Sequence, residues 1–590
     1  MLGWIWPEAP VPAVPDGPLP NADVARLLRE IGDLLELDQA NPFRVRAYRN
    51  AARTIDTLAE PIAVVDTRPD TVLENLPGIG KDLARTIRQL AFEGGVPLLS
   101  KLRKHIPAEE LELLQVRGLG PKRIQALEAA LGVRSVAELR RALEENRVRA
   151  VPGFGPRSEA KLRAELAARP MGAPRMPRAT AARYAAHLIE QMKGVRGVHH
   201  VELAGSFRRC RETVGDLDLL VVTTDPGRAV EALTTAPGAR QVLQRGEAGA
   251  SIRLASGLQV DMRVVPEESF GAALYYFTGS KAHNIAVRGM ALERGLKINE
   301  YGVFKGEERI GGRTEREVAK SVGLPWIPPE LREDRGEIEA ARQGKLPDLV
   351  ELGDLRGDLQ MHTTSSDGRD DLTSMVGAAA NKGYEYIAIT DHSPAVRVTR
   401  GMNAAGFRKQ GAAIDGLNER AHRTRVLKSV EVDIRADGSL DLDDRTLAGF
   451  DLVTASIHSA FDLPAEQQTS RILRALEHPS VHILAHPTSR LIGERAGIGA
   501  DWDRVFRSAA ELGVWLEVNA QPSRLDLDDV ACRHAVSLGA MLTISSDAHS
   551  VSELDLLRWG VDQARRGWVT ARSVANTWPL KRLLERRRSG

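Results

Sequence analysis

The sequence predicts a multidomain chain: an all-α N-terminal region, an α+β domain in the middle and a parallel α/β domain at the C-terminus. Three observations carry this. Val24, Leu27, Leu28, Ile31, Leu34 and Leu35 recur at the helical period, and no strand pattern competes before residue 170. From 201 the pattern turns to strands, in VELAGS, DLDLLVVTT and LQVDMRVV. From 353 to about 575, apolar β-rich runs alternate with helical runs, the pattern of a parallel sheet covered by helices.

Composition marks the joints and excludes whole classes. Residues 1–20 are Pro-rich and lack a basic segment ahead of an apolar run, so they read as an extended tail and not as a signal peptide. The expected divisions are 21–100, 101–175, 176–270, 271–330, a polar linker at 331–352, the α/β domain at 353–575 and a basic tail at 576–590. With 81 Lys+Arg against 79 Asp+Glu, neither a histone-like protein nor an acidic disordered one fits. The two cysteines, Cys210 and Cys532, exclude a disulfide framework and make a reducing cytoplasm the default. No run approaches 18 apolar residues, so neither a membrane span nor a membrane partner is expected.

The helical region carries a short repeat: LPGIGKDLARTI at 76–87, VRGLGPKRIQAL at 116–127 and VPGFGPRSEAKL at 151–162. Each places Gly-apolar-Gly before a helix start: Gly78 and Gly80, Gly118 and Gly120, Gly153 and Gly155. Paired glycines permit a tight turn with positive φ. The helix that follows points free N–H groups and its positive dipole end outward, where a phosphate can sit. Such a turn grips a nucleic-acid backbone without reading bases. The three copies resemble helix-hairpin-helix motifs.

Residues 204–220 read AGSFRRCRETVGDLDLL. On a strand, Asp216 and Asp218 face one side while Leu217 and Leu219 face the core. Asp261, in LQVDMRVV, lies on another strand and completes a carboxylate triad. Converging carboxylates repel one another, divalent cations resolve that repulsion, and two Mg²⁺ or Mn²⁺ ions so held suit in-line phosphoryl transfer. Gly205 and Ser206 form a turn ahead of a helix, which suits triphosphate oxygens, and Arg208 and Arg209 add charge there.

The pattern Gly205-Ser206…Arg209…Gly215-Asp216-x-Asp218…Asp261 resembles the nucleotidyltransferase palm of family X DNA polymerases. The segment Tyr275-Tyr276-Phe277-Thr278-Gly279-Ser280-Lys-Ala-His-Asn284…Arg288 resembles that family's nucleotide-selecting thumb. The resemblance implies that Asp216, Asp218 and Asp261 are catalytic. It implies that Gly205, Ser206, Arg209, Gly215 and Gly279 line the nucleotide, with Ser206 and Arg209 on its phosphates. Tyr276 and Phe277 would lie against the sugar, Asn284 on the base and Arg288 toward the template. It makes 21–100 a DNA-end-binding helix-hairpin-helix domain, 101–175 helical fingers with two further hairpins, 176–270 the palm and 271–330 the thumb. The position at which some members carry a Schiff-base lysine aligns with Thr86, whose hydroxyl cannot form one.

Histidine is concentrated after residue 352, where strand-like runs repeatedly end in metal-type side chains. The series is His362, Asp367, His392, Glu431, His458, His486, Asp547 and His549. In a parallel barrel, ligands from different strands meet at the C-terminal rim, and mixed nitrogen and oxygen donors suit Zn²⁺, Mn²⁺ or Fe²⁺. The series resembles the PHP (polymerase and histidinol phosphatase) domain, which implies a (β/α)₇ barrel with those eight residues as ligands to two or three metals. That family opens with His-x-His; here Gln360 stands at the first position, a weaker and neutral ligand. His422, His478, His482 and His534 fall outside the pattern and read as structural.

Together the resemblances imply a family X DNA polymerase that fills short gaps during DNA repair. A PHP-domain 3′–5′ exonuclease, with abasic-site endonuclease activity as a further expectation, would share the chain. The expected partners are gapped or primed DNA and dNTPs, and the expected state is a monomer in the cytoplasm, at the nucleoid. Three alternatives stand beside it: a polymerase with a structural barrel weakened by Gln360, a phosphoesterase whose palm is a degenerate binding module, against which the intact Asp216, Asp218 and Asp261 argue, and a non-catalytic DNA-end-binding scaffold.

Overall fold

The computed structural model describes residues 21–38, 40–56, 62, 73–76, 79–93, 96–105, 113, 116, 119–168, 175–395, 399–420 and 424–586. The Pro-rich tail, Gly78, Gly118 and His422 lie outside the described residues. The chain forms two compact units, Met1–Ala173 and Pro174–Gly590.

The first unit is helical. Helices Asn21–Leu37 and Pro42–Asp56 pack together, and the apolar stripe from Val24 to Leu35 is buried with Val45, Ala52, Ile55 and Ile87. A second core joins Leu127, Leu139, Leu143 and Leu162 across helices Pro121–Leu131, Val136–Glu144 and Pro156–Ala168. Helix Val136–Glu144 starts with a reciprocal Ser135/Glu138 capping box, so its first N–H groups are satisfied locally. Gly80, Gly120 and Gly155 each stand immediately before a helix. The expected positive φ occurs at Gly153 (φ +86°), while Gly120 has φ −95° and Gly80 and Gly155 are not left-handed either. What Gly80, Gly120, Gly153 and Gly155 share is open space, with nothing within 4 Å of where a Cβ would stand.

The second unit begins with β1 (Met176–Pro177), followed by β2 (Val198–Leu203), β3 (Thr213–Val214), β4 (Asp216–Thr223), β5 (Ala239–Gly246), β6 (Gly249–Leu254) and β7 (Gln259–Val264). Five of them form one sheet in the order β2-β4-β7-β6-β5, with only β4 and β7 parallel. Helices Arg178–Lys193 and Pro226–Thr234 cover one face, burying Ala181, Leu188, Val230 and Leu233 against Leu217, Leu219 and Val260. This is the α+β palm. Next come helices Phe270–Thr278 and Lys281–Leu292 and the antiparallel β8 (Lys297–Asn299), β9 (Gly302–Lys305) and β10 (Glu308–Gly311).

The stretch expected to be a polar linker, 331–352, is folded, and two of its charges are buried. Arg332 and Glu337 are fully buried. Arg332 pairs with Glu315 at 2.7 Å, Glu337 accepts from His283 Nδ1 at 2.7 Å, and Arg335 reaches Asp529 at 2.8 Å. Buried charges survive only when paired, and these partners are distant in sequence.

The C-terminal domain is a seven-stranded parallel sheet, β11 (Gly357–Asp358), β12 (Tyr386–Ile389), β13 (Arg425–Asp433), β14 (Leu452–Ser456), β15 (Ile483–Leu484), β16 (Trp515–Asn519) and β17 (Leu542–Ser545), each paired with the next in chain order. An isolated parallel bridge from Met361 to Ala548 joins the first strand's extension to the last's, so that the barrel is nearly closed. Part of the expected basic tail is structural: Trp578 and Leu583 are buried against Leu359, Tyr386, Leu452 and Trp515. Asn576 donates to Gly357 O (2.8 Å) and Ile544 O (2.7 Å), tying this segment to the first and last strands.

Candidate active sites

In the palm, strand alternation turns Leu217 and Leu219 into the core and leaves Asp216 and Asp218 on the other face. Asp218 is the register partner of Asp261 on the adjoining parallel strand, so two of the three carboxylates stand side by side. The strand partner Ser251 donates to Asp261, and Gln259, two residues before it on the same face, donates to both of its oxygens at 3.2 and 2.9 Å. Burial, reinforced by Asp216 and Asp261, pushes the Asp218 carboxyl up to about 7. Burial and the charge of Asp261 raise Asp216 as well. A site that disfavours its own negative charge in this way fits divalent cations.

Gly205 starts the short helix Gly205–Arg208 with φ +62°, and a Cβ there would stand 2.0 Å from Asp218 Oδ2. Both facts demand glycine. Beside it, Ser206 Oγ is buried without a hydrogen-bond partner. The two arginines that follow diverge. Arg208 is committed to Glu315 through two contacts of 2.8 Å and to Thr278 Oγ1 at 2.7 Å, so it serves the fold and does not add free charge at the turn. Arg209 uses Nε on Glu333 (3.1 Å) and Nη1 on the Thr278 carbonyl (2.5 Å). Among the described residues its Nη2 makes no hydrogen bond. Gly215, between β3 and β4, lies near Arg175, which donates to Thr213.

The thumb residues gather on two consecutive helices. Tyr276 and Phe277 pack edge to face, 5.2 Å between ring centres, and the Arg263 guanidinium sits over Phe277. Asn284 donates to the Tyr276 carbonyl at 2.7 Å, and Arg288 is exposed one turn further along. Gly279, which joins the two helices, approaches Arg209 so closely that a Cβ would lie 3.1 Å from Nη1.

In the barrel all eight predicted side chains converge. Glu431, fully buried on β13, is the hub: His362 Nε2 lies 3.3 Å from it, His392 Nδ1 3.5 Å, His458 Nε2 3.3 Å and His486 Nε2 2.9 Å. Asp367 lies within 3.5 Å of both His392 and His549, and Asp547 within 3.1 Å of His362. Three groups have their donor atoms within 4.8 Å of one another: His362, Asp367, His392, His549; then His392, Glu431, His458; then His362, Glu431, Asp547. Nδ1 of His362, His392 and His486 is buried without a hydrogen bond, and so is Gln360 Oε1, although carboxylates stand 3.7 Å from His362 Nδ1 and 3.5 Å from His392 Nδ1. Clustered nitrogen and oxygen donors with orphaned lone pairs fit divalent metals. Gln360 itself donates from Nε2 to Glu431 at 3.2 Å.

Three barrel residues were not anticipated. Asp433 lies 3.3 Å from His458 Nδ1 and also accepts from its backbone N–H. Burial alone would lower His458, but hydrogen bonds and charge from Asp433 and Glu431 raise it to about 9. Asn519 donates to Asp547 at 3.0 Å. Glu517 is fully buried, accepts from the His486 N–H at 2.7 Å, and keeps Oε1 unpartnered. Burial and the charges of Asp547 and Glu431 push its carboxyl well up. The signal was alternation: Asp433 stands two after Glu431, and W-L-E-V-N puts Glu517 and Asn519 on one face. His482 accepts from the Val453 N–H, and His478 and His534 bond Asp444 and Asp503, all outside the cluster.

A two-aspartate palm with its thumb, joined to a nearly closed parallel barrel lined by histidines and carboxylates, defines a DNA polymerase carrying a second metal-type site. Sequence comparison agrees region by region. The matching family models are a helix-hairpin-helix domain at 19–95, a SAM-like helix-hairpin-helix tandem at 110–168, the DNA polymerase beta palm at 175–248, the DNA polymerase beta thumb at 273–333 and the PHP domain at 358–521. The DNA polymerase/3′-5′ exonuclease PolX of Bacillus subtilis (strain 168) is 40% identical over 563 residues, 95% of this chain and 98% of that protein. The chain therefore belongs to the PolX family of DNA polymerases. DNA polymerase lambda of Rattus norvegicus is 26% identical over 50% of this chain and 53% of its own. A probable phosphatase of Thermoanaerobacter sp. (strain X514) is 27% identical over 37% of this chain and 89% of its own.

Proposed function

We propose that this enzyme is a DNA-directed DNA polymerase that fills short gaps and trims 3′ ends at a second site in its PHP barrel. The side-by-side placement of Asp218 and Asp261 under Gly205 carries the first half of the reading, in a chain that matches PolX almost end to end. The convergence of eight barrel side chains on Glu431 and Asp367 supports the second.

In the palm, Asp216, Asp218 and Asp261 would hold Mg²⁺ or Mn²⁺, which when bound supplies charge stabilisation for phosphoryl transfer. Ser251 and Gln259 orient Asp261 toward the primer 3′-hydroxyl, whose proton it helps remove. The unpartnered Ser206 hydroxyl and Arg209 Nη2 donate to the triphosphate. Tyr276 and Phe277 present backbone and ring edge to the sugar, Asn284 meets the base, and Arg288 meets the template strand. The hairpins at Gly80, Gly120, Gly153 and Gly155 hold the DNA backbone through their helix N-termini.

In the barrel, His362, Asp367, His392, Glu431, His458, His486, Asp547 and His549 would hold two or three Mn²⁺, Zn²⁺ or Fe²⁺ ions, which when bound supply Lewis acidity toward a phosphodiester. Asp433 fixes His458 through Nδ1, so that Nε2 points at Glu431. Asn519 holds Asp547 in the same way. Gln360 offers its unpartnered Oε1 where the PHP pattern has imidazole. Incubation with a one-nucleotide-gapped duplex tests the reading: addition of one nucleotide with dNTPs and shortening without them are expected. Extension with no shortening would overturn the trimming half and leave a polymerase whose barrel is structural; the absence of both extension and shortening would overturn the whole proposal.

A further inference from the structure

Arg209 is held from the barrel. Glu333, 3.1 Å from Arg209 Nε, is also 3.1 Å from Arg566 Nη1, and Arg566 Nη1 donates to the Arg209 carbonyl at 2.5 Å. Arg566 ends the helix Leu557–Arg566, which follows the last barrel strand, and its side chain is only 2% exposed. Its Nη2 donates to Asp529 at 2.8 Å, an oxygen that Arg335 shares at the same distance. Arg209 thus contacts Thr278 of the thumb on one side and, on the other, a Glu333–Arg566–Asp529 chain rooted in the barrel, in which Arg566 is buried and both carboxylates are half-buried. A long flexible guanidinium loses rotamer freedom when it grips a phosphate, and that cost falls if its stem is already fixed.

We propose that Arg566 of the barrel is a positioning residue of the polymerase nucleotide site, acting through Glu333 and the backbone of Arg209. The inference rests on the reading of Arg209 as a triphosphate ligand. It makes the PHP barrel a working part of the polymerase, independent of any hydrolysis the barrel performs. Arg566 lies at the end of a helix packed under Val518 and Ile544 and is not among the clustered metal-type side chains.

Steady-state single-nucleotide gap filling by the full chain tests this, with 3′ trimming of single-stranded DNA measured in parallel. For Arg566→Met the dNTP KM is expected to rise about 3- to 10-fold with kcat within twofold and trimming unchanged. Arg566→Lys should recover part of the loss, because an ammonium reaches one partner but not both. Glu333→Gln, which keeps the shape, should raise KM in the same direction if Arg566→Met fails to fold. The decisive comparison is the Arg209→Ala background, in which Arg566→Met should add nothing to KM. An additive effect there would overturn the proposal. So would a parallel fall of kcat, trimming and thermal stability, which is the mark of a merely structural role. If Arg209→Ala itself leaves KM unchanged, the reading of Arg209 fails first. If Arg209→Ala raises KM and neither Arg566→Met nor Glu333→Gln does, that reading stands and this one falls.

Discussion

Asp218 and Asp261 face each other across two neighbouring parallel strands, and Gly205 presses so closely on Asp218 that no side chain fits between them. Gly205→Ala would force the carboxylate away and impose φ +62° on a residue with a Cβ. Displacement of a catalytic group by about 1 Å costs roughly 100-fold in rate, and the backbone strain costs on the order of 1–3 kcal/mol. The expected outcome is a loss of gap filling of about that size, with barrel-dependent trimming retained, measured on the same preparation.

The palm aspartates make the metal-free protein sensitive to pH. Burial, with the charges of Asp216 and Asp261, pushes the Asp218 carboxyl from an ordinary 3.8 up to about 7. A raised carboxyl favours the folded state while protonated, so this contribution is complete below about pH 4 and is lost as pH climbs through 7. Asp218→Asn should therefore raise the melting temperature at pH 8 in chelator and leave it little changed at pH 4. Mn²⁺ affinity of the palm in the wild type should rise with pH up to about 7, because Asp218 must release its proton. Calorimetry with and without Mn²⁺ at the two pH values checks both, and a destabilised Asp218→Asn at pH 8 would contradict the assignment of repulsion.

Asp433 and His458 form a carboxylate–imidazole pair behind Glu431. Removing the carboxylate leaves only the Ser456 hydroxyl, 3.2 Å away, on Nδ1 and weakens the basicity of the ring as a ligand, a loss of about 10- to 100-fold in metal affinity for partners of this kind. Asp433→Asn is expected to lower trimming at limiting Mn²⁺ by that factor, to recover in excess Mn²⁺, and to leave gap filling untouched. Titration of trimming against Mn²⁺ measures it.

Gln360 is buried among the barrel side chains with Oε1 unpartnered and Nε2 on Glu431. Gln360→His restores an imidazole at that position. More metal retained per chain after dialysis, and faster trimming at low Mn²⁺, are the expected results; Gln360→Leu should retain less than the wild type. Elemental analysis of the three purified proteins separates them.

Much of this was legible because the patterns are local. The helical period of Val24–Leu35, the alternation in Asp216-Leu-Asp218-Leu and the strand-end histidines each announce a face before any fold is known. The strand pairing that places Asp218 opposite Asp261 fits the same alternation. What stayed hidden depends on distant partners. Residues 331–352 read as a solvated linker because their charges are dense and aperiodic, yet Arg332, Glu333, Arg335 and Glu337 pair with Glu315, Arg209, Asp529 and His283. Arg208 and Arg209 look alike in sequence, and the distant Glu315 and Thr278 commit the first to the fold. Tail residues Trp578 and Leu583 lie among basic neighbours, and their burial depends on strand residues far away in sequence, Leu359, Tyr386, Leu452 and Trp515.

The central claim is that one chain carries two separable active sites. One labelled primer on a one-nucleotide-gapped duplex, incubated in Mn²⁺ with and without dNTPs, tests it most directly when Asp218→Ala and His458→Ala run beside the wild type. The account predicts extension with dNTPs and shortening without them, with Asp218→Ala losing only the first and His458→Ala only the second. Loss of both activities in either variant, or retention of both in either, would contradict it.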